Sequence, residues 1–174
     1  ISHCEMHRNK GKAVEVFHGQ KIICIENSFL ENILENSASR GAGLFIQICE
    51  NIAIINTTFG YNRASTGGGV YVENSGYVSS NTNAFFNNEA KLGAAIELYN
   101  CRSAINKKCT FFHNSVENYG IVALRCKIII IVQVIFKFNV FHGLNYGIII
   151  DSAYIVFNSN NSFIQNNLLT GNLV

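Results

Sequence analysis

The sequence predicts an all-β fold: a single-stranded parallel β-helix of about six to seven coils that fills residues 1–174. Three observations predict it. A tetrapeptide recurs at coil-length intervals, small residues stand at fixed distances before it, and apolar residues between them alternate with a period of two. The tetrapeptide is Phe-x-x-Asn, with its fixed residues at Phe29 and Asn32, Phe59 and Asn62, Phe85 and Asn88, Phe111 and Asn114, Phe136 and Asn139, and Phe163 and Asn166. Met6 and Asn9 form a seventh, altered copy. Successive copies are 23, 30, 26, 26, 25 and 27 residues apart. Self-similarity at such a period marks stacked repeats in which each copy makes one coil of a solenoid.

Each coil begins at a small residue sixteen positions before its Phe: Ala13, Gly43, Gly69, Ala95, Gly120 or Gly147. One and three positions later come Val14 and Val16, Leu44 and Ile46, Val70 and Val72, Ile96 and Leu98, Ile121 and Ala123, and Ile148 and Ile150. These are predicted to point inward. The alternate positions, among them Glu15, Phe17, Phe45, Gln47, Tyr71, Glu73, Glu97, Tyr99, Val122, Leu124 and Asp151, are predicted to point outward. A second small residue, ten before the Phe, ends this strand: Gly19, Cys49, Ser75, Cys101, Cys126 or Ala153. A second strand then leads into the Phe, as in residues 52–59 and 128–136. At the ~4.8 Å spacing of paired strands the stack is a rod on the order of 30 Å long.

The columns have physical reasons. Asn9, Asn32, Asn62, Asn88, Asn114, Asn139 and Asn166 stack as an internal ladder, each carboxamide donating to the next and bonding the backbone of a corner. Phe29, Phe59, Phe85, Phe111, Phe136 and Phe163 fill the interior beside it in the offset contact aromatic rings favour. The chain has no Pro, as suits a body of parallel strands paired on both edges. A leucine-rich repeat has a similar period, but its L-x-x-L-x-L spacing is missing and no helical pattern follows the strand.

Composition narrows function less than it narrows fold. Charged residues make up 14% of the chain against ~25% in an ordinary soluble domain, and the polar share is carried by 24 Asn. A net charge of +2, with Lys and Arg scattered, points to no nucleic-acid or anionic-membrane partner. The longest apolar run, residues 128–136, is too short for a membrane-spanning helix and contains Gln133. The first residue is Ile1 and neither end resembles a cap, so the chain reads as a segment of a larger protein.

Phe-x-x-Asn combined with Gly68-Gly69-Val70 and its relatives Gly43-Leu44, Gly93-Ala94-Ala95-Ile96 and Gly147-Ile148 resembles the paired motif of the polymorphic outer-membrane protein repeat, over essentially the whole chain. That repeat belongs to chlamydial surface autotransporters and to large surface proteins of some protists. The resemblance implies a right-handed coil, a cell-surface or extracellular location and an adhesive role. The excess of Asn, Ile, Lys, Phe and Tyr suits an AT-rich genome such as a protist's.

Candidate chemistry is sparse. Parallel β-helices that cleave polysaccharides need carboxylates clustered on one outward face. Glu73 and Glu97, on neighbouring coils and two strand positions apart, are the one such pair, with no outward Arg visible beside them; solvated strand-face charges are the ordinary reading of both. Phe45, Tyr71 and Tyr99, with Phe17, make a partly aromatic outward strip suited to sugar stacking or a protein contact, or to packing under a neighbouring segment. Insertions collect between the ladder Asn and the next small residue, the longest being residues 33–42, where solenoids commonly carry binding loops.

Cys101 and Cys126 share a column on adjacent coils, which permits a disulfide or a thiol stack; no C-x-x-C and no His column supports a metal site. Asn56 and Asn160 begin N-glycosylation sequons, each three residues before a Phe. No cofactor is implied. The leading expectation is a non-enzymatic structural or adhesive scaffold that meets a protein, a glycan or neighbouring subunits through its faces and corner loops. A polysaccharide-binding or pectate-lyase-like enzyme is the first alternative, with carboxylates converging under the 33–42 loop as its distinguishing feature. A subunit of a filament or of a ciliary or cytoskeletal assembly is the second, distinguished by reduced cysteines and unoccupied sequons.

Overall fold

Alternating strands can be closed into a coil only if the chain turns sharply between them, and the turns here are made by single residues in the left-handed region. A computed structural model describes residues 1–118, 122–142, 148–150, 153, 155–164 and 166–169. Among these residues there are 21 strands and no helix, every strand pairing is parallel, and the coils stack about six turns deep. Seventeen non-glycine residues have φ between 48° and 58°, and they fall into three columns. His18, Ile48, Asn74 and Asn100 make the first corner; His3, Glu26, Asn56, Thr82, Lys108, Gln133 and Asn160 the second; Arg8, Glu31, Tyr61, Asn87, His113 and Phe138 the third. Asn tolerates this conformation better than most residues.

Three faces lie between the corners. The first carries Val14–Phe17, Leu44–Gln47 and Val70–Glu73, and the second Lys21–Ile25, Asn51–Ile55 and Tyr77–Asn81; the long strands Ile96–Lys107 and Val122–Val132 run round the corner and join the two. The third face is a seven-stranded sheet of three-residue strands from Glu5–His7 to Ser162–Ile164, each centred on a member of the Phe column. Entry to the first face is a tight turn at Gly41, Gly67 and Gly93, all at positive φ, where a Cβ would lie 2.6–2.7 Å from the carbonyl oxygen three residues on.

The interior is columnar. Phe29, Phe59, Phe85, Phe111, Phe136 and Phe163 stack with ring centroids 4.8–4.9 Å apart and planes within 13°. The first five are fully buried, while Phe163, in the last coil, is 56% exposed. The Asn ladder runs beside them. Each Nδ2 from Asn32 to Asn139 donates both to the Oδ1 of the next Asn, at 2.9–3.1 Å, and to the carbonyl of the Phe-column residue one coil back, at 2.8–3.0 Å. Each Oδ1 also accepts the backbone N–H of the preceding Asn, so these carboxamides are saturated.

One register differs from the expectation. Val122 and Leu124, not Ile121 and Ala123, pair with the inward Ile96 and Leu98, and both are buried. The reason is the corner. The coil entered at Val122 lacks a left-handed residue equivalent to Asn100: Tyr99 pairs with Arg125 and Cys101 with Cys126, leaving Asn100 as the extra residue. Counting back from Phe136 therefore misplaces the first strand by one and exchanges its faces. Gly120, Gly147 and Asp151 lie outside the described residues.

Candidate functional site

The outward side of the first face carries two columns in the register expected: Glu15, Phe45, Tyr71 and Glu97 in one, and Phe17, Gln47, Glu73 and Tyr99 in the other. Its exposure is not as expected. Phe45 and Tyr71 are 5% and 3% exposed, and of the aromatic strip Tyr99 (41%) and Phe17 remain open. The rings cover one another, Phe17 to Phe45 and Phe45 to Tyr71 each at 5.6 Å, and cations lie over them: Lys12 3.6 Å above Phe45, Arg40 5.3 Å above Tyr71 and Arg125 5.5 Å above Tyr99. A strip expected to present rings to a ligand is packed largely against its own chain.

Glu73 and Glu97 differ sharply in surroundings. Glu73 Oε2 accepts a hydrogen bond from the Tyr71 hydroxyl at 3.0 Å and forms an ion pair with Arg40, also at 3.0 Å. Glu97, in register with Tyr71, is 2% exposed, and its Oε2 has no hydrogen-bond partner among the described residues. Burial pushes its pKa up to about 7, with Arg125 and Arg40 pulling it down and Glu73 pushing it further up. The Tyr71 hydroxyl is also held above its ordinary range, first by burial and then by Glu73. Strand alternation shows no Arg beside the pair, whereas two, Arg40 and Arg125, act on it. Arg40 sits in the insertion, outside the repeat columns, and Arg125 was displaced from view by the one-residue shift.

The second corner column is a hydrogen-bonding ladder that the sequence reading missed. Asn27, Asn83 and Asn161 accept the backbone N–H of Cys4, Thr57 and Val134 at 2.7–3.1 Å, and each donates to a carbonyl of the preceding coil. Its signal was present as Asn two residues before Phe29, Phe85 and Phe163. In the cysteine column Ser75 Oγ accepts from Cys49 N–H, and Cys49 Sγ from Gly19 N–H. Cys101 and Cys126 are paired in register, and both are free thiols. A hydrogen bond from Cys126, together with the Ser75 N–H, favours the thiolate of Cys101, while the same bond and burial hold Cys126 protonated.

Asn56 and Asn160 both stand at the second corner with positive φ and exposed side chains. Among the described residues no three or more His, Cys, Asp or Glu side chains converge as metal ligands.

The insertion does form a cleft. Residues 33–37 rise over Arg63–Ser65 and Glu89–Lys91 to enclose about 410 Å³, with Glu35, Glu89 and Glu117 among the lining groups. The carboxylates are interleaved with cations: Glu89 pairs with Arg63 at 3.4 Å, and Lys91 lies alongside. A neighbouring cleft on the other side of Ile33 and Glu35 adds Arg8, Lys10 and Glu31, with Arg8 and Glu31 paired at 2.9 Å. The corner is thus concave, and over the two clefts together carboxylates and cations line it in equal number.

No curated protein and no solved structure matches the chain. A family model described as a right handed beta helix region matches residues 1–168. With parallel pairing among the described strands, left-handed corners between them, and continuous Asn and Phe columns inside, the chain belongs to the right-handed β-helix family.

Proposed function

We propose that the protein is a non-enzymatic β-helical scaffold of an adhesive surface protein of the polymorphic outer-membrane type, presenting its third-corner loops to a protein or glycan partner. One observation supports this most: the side chains that chemistry would need are committed to the fold. Glu73 is held by Arg40 and Tyr71, Glu97 is buried, and Phe45 and Tyr71 are covered. The concave cleft under residues 33–37, lined by both carboxylates and cations, is where sequence length varies between coils, as in solenoids that bind through corner insertions. The exposed, left-handed Asn56 and Asn160 would accept glycans without disturbing a strand. The test is to probe immobilised protein with panels of polysaccharides and extracellular-matrix proteins. Binding that drops at least tenfold with Glu35→Ala and Ser37→Arg supports the reading, and no binding to any of them counts against it.

The polysaccharide-active alternative is favoured by one feature, the unlike environments of Glu73 and Glu97, since an acid–base pair needs one carboxyl kept protonated near neutrality. Release of reducing or unsaturated ends from polygalacturonate, lost in Glu73→Gln and Glu97→Gln, would replace the scaffold reading with this one.

A further inference from the structure

The five buried cysteines differ in what they can meet. Cys24 stands in register with Ile54, and Cys109 has Ser80 as its polar neighbour at 3.4 Å. Cys49 is separated from Cys101 by the coil of Ser75, two strand spacings or ~10 Å, which is beyond the reach of a sulfur–sulfur bond. Cys101 and Cys126 share a column on adjacent coils and are partners in register. Paired parallel strands set such Cα atoms ~4.8 Å apart with their Cβ bonds pointing the same way, inside the window for a disulfide. A hydrogen bond already joins the two sulfurs, Cys126 donating to Cys101 Sγ.

This pair stands where the first corner is irregular. The exposed rung from Asn100 to Asn74 has no successor, because the coil of Cys126 has no residue to match Asn100. One coil back, Gly76 leaves the corner bare; a Cβ there would lie 2.2 Å from the Glu50 carbonyl oxygen. A groove of about 370 Å³ runs along the corner, with the exposed Asn74, Asn100, Arg102 and Lys127 and the buried Ser75 and Cys101 among its lining. Cys101 is 2% exposed, which closes its sulfur to bulky reagents and selects a co-reactant about the size of water.

We propose that Cys101 and Cys126 are an oxidisable dithiol, the site at which hydrogen peroxide modifies this chain. The Cys101 thiolate attacks one peroxide oxygen: an S–O bond forms, the O–O bond breaks, and the departing hydroxide takes up a proton to become water. The Cys126 sulfur then attacks the sulfenic sulfur of Cys101. An S–S bond forms, the S–O bond breaks, and the hydroxyl leaves with the Cys126 proton as a second water. Two electrons pass from the dithiol to one peroxide. Cys101 is the attacking member because it accepts hydrogen bonds from both Cys126 and the Ser75 N–H, while Cys126 keeps its proton for the second step. The thiol contacts given up, from Cys101 to the Tyr99 carbonyl at 3.6 Å and from Cys126 to the Leu98 carbonyl at 3.8 Å, are long, so no strong hydrogen bond is lost. The new bond closes one coil into a covalent ring. It stands apart from ligand binding at the third corner.

The test uses folded Cys4→Ser protein, reduced, treated with hydrogen peroxide, alkylated in denaturant and mapped by mass spectrometry. A Cys101–Cys126 link that dithiothreitol reverses is expected, with Cys24, Cys49 and Cys109 alkylated. Ser already stands in this column at Ser75, so Cys→Ser variants suit it, and circular dichroism checks their fold. With Cys126→Ser added, dimedone should capture Cys101 as its sulfenic acid; with Cys101→Ser added instead, Cys126 should remain a thiol. Peroxide that leaves both thiols free overturns the proposal. So does a link that forms as fast in the urea-unfolded chain as in the folded one, or a sulfenic acid captured at Cys126 and not at Cys101.

Discussion

Asn62 and Asn88 are joined twice through one oxygen: Asn88 Oδ1 accepts the backbone N–H of Asn62 at 3.1 Å and its Nδ2 at 3.0 Å. Asn88 in turn donates to Asn114 Oδ1 and to the carbonyl of Phe59. All of this lies in an interior closed to water. Replacing Asn88 with Ala strands at least three buried polar groups, each worth ~1–3 kcal/mol, and should cost about 3–5 kcal/mol in urea denaturation. Asn9→Ala, at the exposed start of the ladder, should cost about 1 kcal/mol. Equal losses at the two positions would show that the ladder is not what holds the interior.

Glu97 makes stability depend on pH in a particular direction. The unfolded chain releases this proton near pH 4.5, while burial lets the folded protein keep it to about pH 7. Between those values the folded state binds more protons, so stability falls as pH rises through the window and changes little outside it on this account. Glu97→Gln removes the dependence. Its thermal midpoint should gain on the wild type between pH 5 and pH 8, by an amount equivalent to at most ~3 kcal/mol. A constant difference across that range would remove Glu97 as the cause.

Asn106 points inward between Ser80 and Ile131, and neither atom of its carboxamide has a partner among the described residues. The nearby Ser80 hydroxyl is already engaged by Asn83 Nδ2 at 2.9 Å. Asn106→Val should therefore raise stability by about 1–2 kcal/mol, since it removes an uncompensated burial and breaks no bond. Loss of stability in the Val variant would mean that the carboxamide is satisfied in solution, by water.

The thiols can be counted. Cys4 is exposed and the other five cysteines are buried and free, so an aromatic disulfide reagent should label one thiol quickly in the native protein and six in denaturant without reductant. Four in denaturant would restore a Cys101–Cys126 disulfide. Mass mapping of the fast site should find Cys4.

The sequence carried the architecture because the columns that build it are single residue types at fixed spacing. Phe and Asn of the third corner could be read directly, and alternation gave the correct face for Glu73, Glu97, Phe45 and Tyr71. What alternation cannot give is whether an outward side chain meets water. That depends on Lys12 and Arg40 in irregular segments, which obey no column. The same limit explains the Val122 strand, because a coil short by one residue keeps its Phe-to-Cys spacing and loses the residue only at a corner. Of the 24 Asn, 15 are now placed, as rungs of the two Asn-bearing ladders or as left-handed corner residues. The mixed second ladder stayed hidden because Thr57, Cys109 and Val134 interrupt it.

The missing counterpart of Asn100 also says where such a chain can change length. A residue added or lost inside a strand exchanges the two sides of everything up to the next turn, and the interior would inherit side chains meant for water. At a left-handed corner the same event is absorbed, because the corner residue fills no core position and its side-chain bond between coils, Asn100 Nδ2 to Asn74 Oδ1 at 2.7 Å, lies on the exposed surface. Tyr99 still meets Arg125 and Cys101 still meets Cys126. The corners act as punctuation between words of fixed spelling, and an ancestral coil could drift from 26 residues to 25 there without losing its place in the stack.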